Sequence, residues 1–321
     1  MKRTLWLIFI LGPLGLGVLQ GVASGAEPVR MAYLQSDLHH LPLSVALEKG
    51  YFKEYGVDVA IAGIFRAGPE TMSAFSADSL DMAYVGIAPT ITAVANKTAR
   101  IRVLAQVNAD GSAIVVGNTS PIRSILDLSG KTVAVPGIAT VQDFLLRKAL
   151  TNSGLALNKV NIIVLKPPEM IGALRTAQID AFIAWEPFPA KAVTSGVGRV
   201  LVTSKQIWPN HPCCVLVADV NFVKGHLTEI KAILRAHVKA IDFIKNNPEE
   251  AVNIAAKDTG MDKPTIRLAM KDVTYTSQID VEGIQEYVRF LSELKFINVA
   301  DPNAFVKGLI EPGFLEEVRS Q

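Results

Sequence analysis

The chain has 321 residues, of which half are hydrophobic and 19% charged, with a formal net charge of +2. That composition supplies core for one large or two medium domains. With no dense Lys/Arg run it lacks the basic footprint that nucleic acid requires, so no nucleic-acid partner is expected.

The first segment is set apart before any reasoning about fold. Lys2 and Arg3 form a basic start, Leu5 to Leu19 an apolar stretch, and Ser24-Gly25-Ala26 a small-residue cleavage site. Residues 1–26 therefore read as a cleaved signal peptide. The apolar stretch is interrupted by Gly12, Pro13, Gly15 and Gly17 and falls short of the roughly 20 residues that span a bilayer. No Cys lies near the cleavage site to take a lipid. Without Lys2 and Arg3 the mature chain carries 30 basic and 30 acidic side chains. A soluble, periplasmic protein is the expectation.

Val29 to Gln35 reads as a strand that leaves its sheet at Ser36-Asp37-Leu38-His39-His40, and Pro42 fits the first turn of a helix running to about Tyr55. Gly56 stops it, and Val57 to Ile61 is the next strand. Pro69-Glu70, Ala74 and Asp81 then open a pattern that closes on Met82 to Pro89. It recurs about a hundred residues later as Pro168-Glu169, Ala173 and Asp180, closing on Ala181 to Pro187. The repeat predicts two similar α/β lobes. Strands are also predicted at Ile101–Val107 and Ala113–Val116, with Asn108-Ala109-Asp110-Gly111 turning between them.

Beyond Asp127-Leu128-Ser129-Gly130 come a strand at Lys131–Val135, a helix from about Val141 to Asn152 capped by Thr140, and strands at Asn161–Leu165 and Arg199–Val202. Cys214 to Ala218 is a strand returning the chain to the first lobe, and the rest is nearly all helical, with long amphipathic segments at Leu227–Lys245 and Val281–Phe296. The division expected is residues 27–116 for the first part of lobe 1, 117–213 for lobe 2 and 214–321 for the return strand and C-terminal helices. The fold class is α/β, two-lobed, with mostly parallel sheets flanked by helices and a cleft between the lobes.

In such sheets ligands bind outside the carboxyl ends of the strands. Those ends supply Ser36, Asp37, His39, His40, Arg66, Gly86, Ala88, Asn108, Thr140, Gln142 and Trp185 as candidates, and His211 joins them from a segment expected at the cleft. Gly86-Ile87-Ala88-Pro89-Thr90 and Gly137-Ile138-Ala139-Thr140 lead into helix N-termini, which favour anions. Asp81 and Asp180 read as turn caps. Glu186 reads as satisfying a helix N-terminus, and Trp185 as stacking on a ring, capping an apolar ligand or wedging the lobe interior.

Ala46-Leu47-Glu48-Lys49-Gly50-Tyr51-Phe52 with Gly56-Val57-Asp58-Val59, Asp81 to Pro89, Asp127 to Pro136, and Ala184-Trp185-Glu186-Pro187 resemble periplasmic substrate-binding proteins of ABC importers. The branch is the nitrate/sulfonate/taurine one, which also holds binders of thiamin-precursor pyrimidines. The resemblance covers nearly the whole mature chain. It implies two lobes closing by hinge motion on a small, anionic or heteroaromatic solute, a membrane permease as partner, and no enzymatic activity. The protein is expected to be a monomer. Family sites draw on the turn after the first strand, the turn at Gly86–Pro89 and the helix start near Thr140. The chain departs from the pattern at Ile138-Ala139-Thr140, where members often have Gly-Ser-Thr or Gly-Ser-Ser.

Two other readings compete. His39, His40 and His211 with Asp37, Cys213 and Cys214 could hold a soft metal, but no usual ligand spacing is present, and no metal or cofactor is expected. His211-Pro212-Cys213-Cys214 also bears on a pyrimidine-precursor enzyme of the same superfamily, against which the signal peptide argues. A sensory partner of a membrane protein would share the fold. The adjacent Cys213 and Cys214 read either as a strained vicinal disulfide or as two reduced, buried thiols, because neighbouring Cα atoms about 3.8 Å apart lie below the usual disulfide span of about 4.4–6.8 Å. His226 and His237 fall in or beside a helix and read as surface or core residues.

Overall fold

The structure, a computed structural model, describes residues 27–320. The signal-peptide reading of residues 1–26 lies outside them. Among the described residues no helix is long and apolar enough to cross a membrane.

Among the described residues eleven strands follow in chain order: β1 (Val29–Leu34), β2 (Val59–Phe65), β3 (Met82–Gly86), β4 (Ile101–Asp110), β5 (Ser112–Gly117), β6 (Thr132–Val135), β7 (Asn161–Val164), β8 (Ala181–Trp185), β9 (Gly198–Thr203), β10 (Pro212–Asp219) and β11 (Val273–Tyr275). They form two sheets, ordered β11-β4-β10-β3-β1-β2 and β7-β6-β8-β5-β9. In each, a central strand pairs in parallel with two others: β1 with β2 and β3, and β6 with β7 and β8. The strands by which the chain changes sheet run antiparallel to their neighbours: β10 lies between β3 and β4, and β5 between β8 and β9. The sheets are thus mixed rather than mainly parallel, because a segment arriving from the other lobe enters from the opposite end.

The sequence repeat is a structural one. Helix 68–76 leads to β3 and helix 167–175 to β8, and the two strands hold the same place beside β1 and β6. The repeated carboxylates explain why. Arg30 N–H donates to Asp81 Oδ2 at 2.7 Å, while Asp81 N–H donates to the Arg30 carbonyl. Thr132 N–H donates to Asp180 Oδ2 at 2.8 Å, and Asp180 N–H returns to the Thr132 carbonyl. Each Asp clamps the start of its strand to the central strand, an architectural role beyond the turn cap expected.

Three boundaries differ from the sequence reading. The first helix is broken, into 41–48 and 51–54, because Gly50 takes φ +70. β5 pairs with β8 and β9 in the second sheet rather than belonging with residues 27–116. Asn108-Ala109-Asp110 are not a turn but the end of β4. Polar side chains read as turn formers, yet here they serve a buried crossing. Asn108 Oδ1 accepts the Cys214 N–H at 3.1 Å, and its Nδ2 donates to the Asp110 carbonyl at 3.1 Å.

The turn is instead the single residue Gly111, at φ +88, where a Cβ would stand 2.3 Å from His39 Nε2 and 2.9 Å from Val273 Cγ2. The return crossing runs beside it. Asp110 N–H donates to the His211 carbonyl at 3.2 Å, and His211 Nδ1 lies 2.9 Å from the Trp208 carbonyl and 3.2 Å from Asp110 Oδ1. The C-terminal helices pack largely on the first sheet, with 227–246 against 41–48. Gly111→Ala should cost at least about 2 kcal/mol, from its left-handed backbone and the clash with His39. A denaturant melt checks this, and an unchanged midpoint would show the crossing to be more pliable than drawn.

Candidate functional site

Lobe–lobe contacts close over a small cavity. The Leu38 N–H donates to the Glu186 carbonyl at 3.0 Å, and Lys191 Nζ pairs with Asp262 at 2.7 Å. Lys166 pairs with Glu70, and Lys148 with Glu286. The cavity has a free volume of about 10 Å³, room for about one water-sized sphere. Its wall from the first lobe is Leu34, Asp37, Gly68, Gly86, Pro89, Cys213 and Cys214. From the second lobe come Thr140, Val141, Gln142 and Trp185.

Three helix N-termini meet at this wall. Helix 68–76 begins at Gly68, helix 87–95 follows Gly86, and helix 141–152 follows Thr140. Each presents first-turn N–H groups and the positive end of its dipole. Thr140 is the predicted N-cap: its Oγ1 accepts from Asp143 N–H at 3.2 Å and donates to the Gly137 carbonyl at 2.7 Å. Its hydroxyl is therefore spent on the helix, leaving backbone amides for a ligand. Gln142 Nε2 donates to Ser112 Oγ at 3.0 Å. The departure at Ile138-Ala139 falls elsewhere: both residues line an outer groove rather than the inner cavity.

Trp185 adds a donor that sequence reasoning missed. It is 2% exposed and packs edge-on against Phe188, and its indole Nε1–H has no hydrogen-bond partner. Such a buried, unpaired donor is costly unless something accepts from it. Glu186 next to it does what was expected, accepting the Ala190 N–H at 3.1 Å on Oε2.

Other predicted site residues are dispersed. Arg66 is exposed, and its backbone N–H donates to Glu70. Ser36, at φ +50, hydrogen-bonds the Thr259 carbonyl at 3.3 Å. Ala88 is buried within its helix, and Asn108 and His211 belong to the crossing. His40 is buried beside the Tyr84 ring, its Nδ1 accepting the Leu34 N–H at 3.1 Å. His237 is core: its Nε2 lies 2.9 Å from the Gln106 carbonyl and its Nδ1 3.0 Å from Tyr84 Oη. His226 is exposed.

Behind the cavity wall the first-strand turn and β10 form one polar cluster. Adjacent residues of a regular strand point to opposite faces. Here β10 shifts register against β4 at Pro212/Cys214 and again at Cys214/Val215, and both thiols come to one side. Their sulfurs are 4.0 Å apart and unbridged. His39 Nδ1 stands 3.4 Å from Cys213 Sγ and 3.7 Å from Cys214 Sγ. His39 Nε2 donates to the Gly111 carbonyl at 2.7 Å.

Burial dominates the titrations and is overcome only in part. It would raise the Cys213 thiol, but the hydrogen bond from Cys214 and the charge of His39 bring it well below the ordinary value. Burial would lower His39, but Cys213 and Asp37 raise it. The two shifts run in opposite directions because each group favours the other's charged form. Burial pushes Cys214 well up, drives His40 down to about 3, and lifts Asp37 to about 7. Burial thus holds the cavity's carboxyl toward its neutral form.

Burial also lifts Glu186 from 4.5 to about 8, against the hydrogen bond from Ala190. A folded-state pKa above the unfolded one means that the folded protein holds the extra proton. Stability from this group is full below about pH 4.5 and is lost as pH rises to about 8, by up to a few kcal/mol. Glu186→Gln should reduce that decline, leaving the slope due to Asp37 and the buried histidines. Urea melts from pH 5 to 8 check it, and a slope equal to the wild type's would show that Glu186 is ionised in the fold.

With this geometry in place, comparisons with known proteins become informative. A binding protein of Brucella abortus is 29% identical over 275 residues, covering 85% of this chain and 83% of that protein. The ligand-binding component of an ABC-type import system from Staphylococcus aureus, solved with zinc bound, superposes with a TM-score of 0.80 at 18% identity, over 91% of this chain and 99% of that one. The alkanesulfonate-binding protein SsuA of Xanthomonas axonopodis pv. citri, bound to MOPS, gives 0.79 at 16%, over 90% and 100%. The nitrate-binding protein NrtA of Synechocystis PCC 6803 gives 0.77 at 19%, over 91% and 88%. These structures share the two-lobed fold. The sequence model of the NMT1-like family matches residues 23–257, and the chain belongs to that family.

Proposed function

We propose that the protein is an extracytoplasmic solute receptor. It captures a small oxyanion of the nitrate or sulfonate class between its lobes and delivers it, as a monomer, to the permease of an ABC importer. The observation that carries this reading is the cavity wall, where three helix N-termini and the unpartnered Trp185 indole N–H are all donors. An oxyanion is acceptor-only and supplies what each of them lacks. Two of these helix starts lie in the first lobe and the third, with Trp185, in the second. A ligand bridging them stabilises the closed form, which is how binding energy becomes a lobe movement.

The relatives support the transport role: some are nitrate-binding and alkanesulfonate-binding proteins. The layout of residues 1–26 supports export. The site's buried carboxyl Asp37, lifted to about 7, suits a wall that must accept negative charge.

Thermal-shift and calorimetric titrations with sodium nitrate, methanesulfonate and taurine test the proposal. A cognate anion at a hundredfold excess over its Kd adds about 2.7 kcal/mol to stability. Trp185→Phe removes one donor to a charged acceptor and should weaken binding by roughly 10- to 100-fold, while its own melt stays close to the wild type's. No shift with any oxyanion, or undiminished affinity in Trp185→Phe, would overturn the assignment.

A further inference from the structure

We propose that His39, Cys213 and Cys214 form a binding site for one thiophilic d10 cation, zinc(II) or copper(I), at the floor of the interlobe cavity. Four-coordinate zinc with Zn–S near 2.3 Å and Zn–N near 2.0–2.1 Å has ligand–ligand edges of roughly 3.5–3.8 Å. The three donors already define edges of 3.4, 3.7 and 4.0 Å. Seating an ion requires shifts of a few tenths of an ångström, within side-chain freedom.

The surroundings prepare these donors. His39 Nε2 donates to the Gly111 carbonyl, so its Nδ1 is the nitrogen turned to the sulfurs. A ligating histidine is commonly held this way, with its far nitrogen on a backbone carbonyl. The Cys214 N–H is tied to Asn108 Oδ1 at the bulge. That bulge is the second, independent sign of a site: regular pairing would send the two sulfurs to opposite faces, and β10 gives up ladder register to bring them together.

Asp37, which clusters with His40 and Cys214 rather than with Cys213, becomes the fourth donor for zinc when its side chain swings toward the sulfurs. Asp37 Oδ1 lies 3.5 Å from His39 Nδ1, and the carboxylate also falls within 4.8 Å of the Cys214 sulfur. The His40 Nδ1 accepts from Leu34 N–H, and its Nε2 faces Asp37 Oδ2 at 3.7 Å without a hydrogen bond. Copper(I) needs only the three soft ligands. Cys213, Cys214 and Asp37 all line the cavity, so the ion enters when the lobes part. Binding releases the ligand protons of the cluster to solvent.

This site does not depend on the oxyanion reading, and the test keeps them apart by using metal-stripped protein in chloride without any solute. The full mature chain, reduced with a phosphine, is titrated with zinc chloride and with copper(I) against chromophoric chelators. One equivalent per chain is expected, and Cys213→Ser, Cys214→Ser and His39→Gln should each weaken it at least about 100-fold. Cadmium(II), used as a zinc surrogate, should give the ultraviolet charge-transfer absorption of two thiolates. Zinc should raise the melting temperature of the wild type and not of the Cys213→Ser/Cys214→Ser double variant, with both metal-free melts recorded so that a folding defect is visible. Asp37→Asn should weaken zinc and spare copper(I). Absence of binding to the reduced wild type, retention by the double variant, or a cadmium spectrum with fewer than two thiolates would overturn the site. Zinc affinity undiminished in Asp37→Asn would remove the fourth ligand.

Discussion

The chain must change lobe twice through a space sealed from water, and there its backbone groups find hydrogen-bond partners while the Asp110 carboxylate and His211 Nε2 do not. Gly111 is the point where that requirement is tightest. Its carbonyl accepts from both His39 Nε2 and the Glu186 N–H. One peptide thereby ties the first crossing to the turn after β1 and to the end of β8. The return crossing is stitched to the first through Asp110 and His211. A Cβ at residue 111 would stand 2.3 Å from His39 Nε2, so this crossing is built around a residue that has none.

The same constraint shapes the candidate site. Because the crossing is dry, His39 cannot shed its charge interactions to water and pairs with a thiol instead. Because β10 must bulge to meet the crossing, both cysteines face inward. The cavity above is therefore asymmetric: soft sulfur and a protonatable carboxyl on its floor, backbone amides and an indole N–H around its sides. Donors with fixed geometry suit an anion that arrives and leaves, whereas sulfur donors locked by a bulge suit an ion that stays.

The two lobes show how a repeat can conserve a frame while the ligand face diverges. Asp81 and Asp180 perform one task at equivalent places. The strand ends they position differ: β3 stops at Gly86, where a Cβ would meet Val141 at 3.1 Å, and β8 stops at Trp185. The first lobe brings backbone close to the cavity, and the second supplies a wall with a donor in it.

Much of this was written locally. Hydrophobic runs bounded by Gly and Pro located most strands, the Thr140 cap placed a helix start at its observed residue, and the Asp-to-Pro repeat announced two lobes, because those signals rest on contacts between near neighbours. Long-range contacts decided the rest. Asn108 to Asp110 read as a turn until a distant strand claimed their side chains. Arg66, a candidate from the end of β2, faces solvent, because no local rule states which way a side chain leaves the turn after a strand. The adjacent cysteines could not be read as one pair facing His39, since strand alternation says they diverge and only the register shift against β4 reverses it. Sequence alone determined the two-lobed frame and its helix starts. Only the tertiary structure decided which polar groups are sealed together, because burial and pairing arise between segments 72 to 175 residues apart.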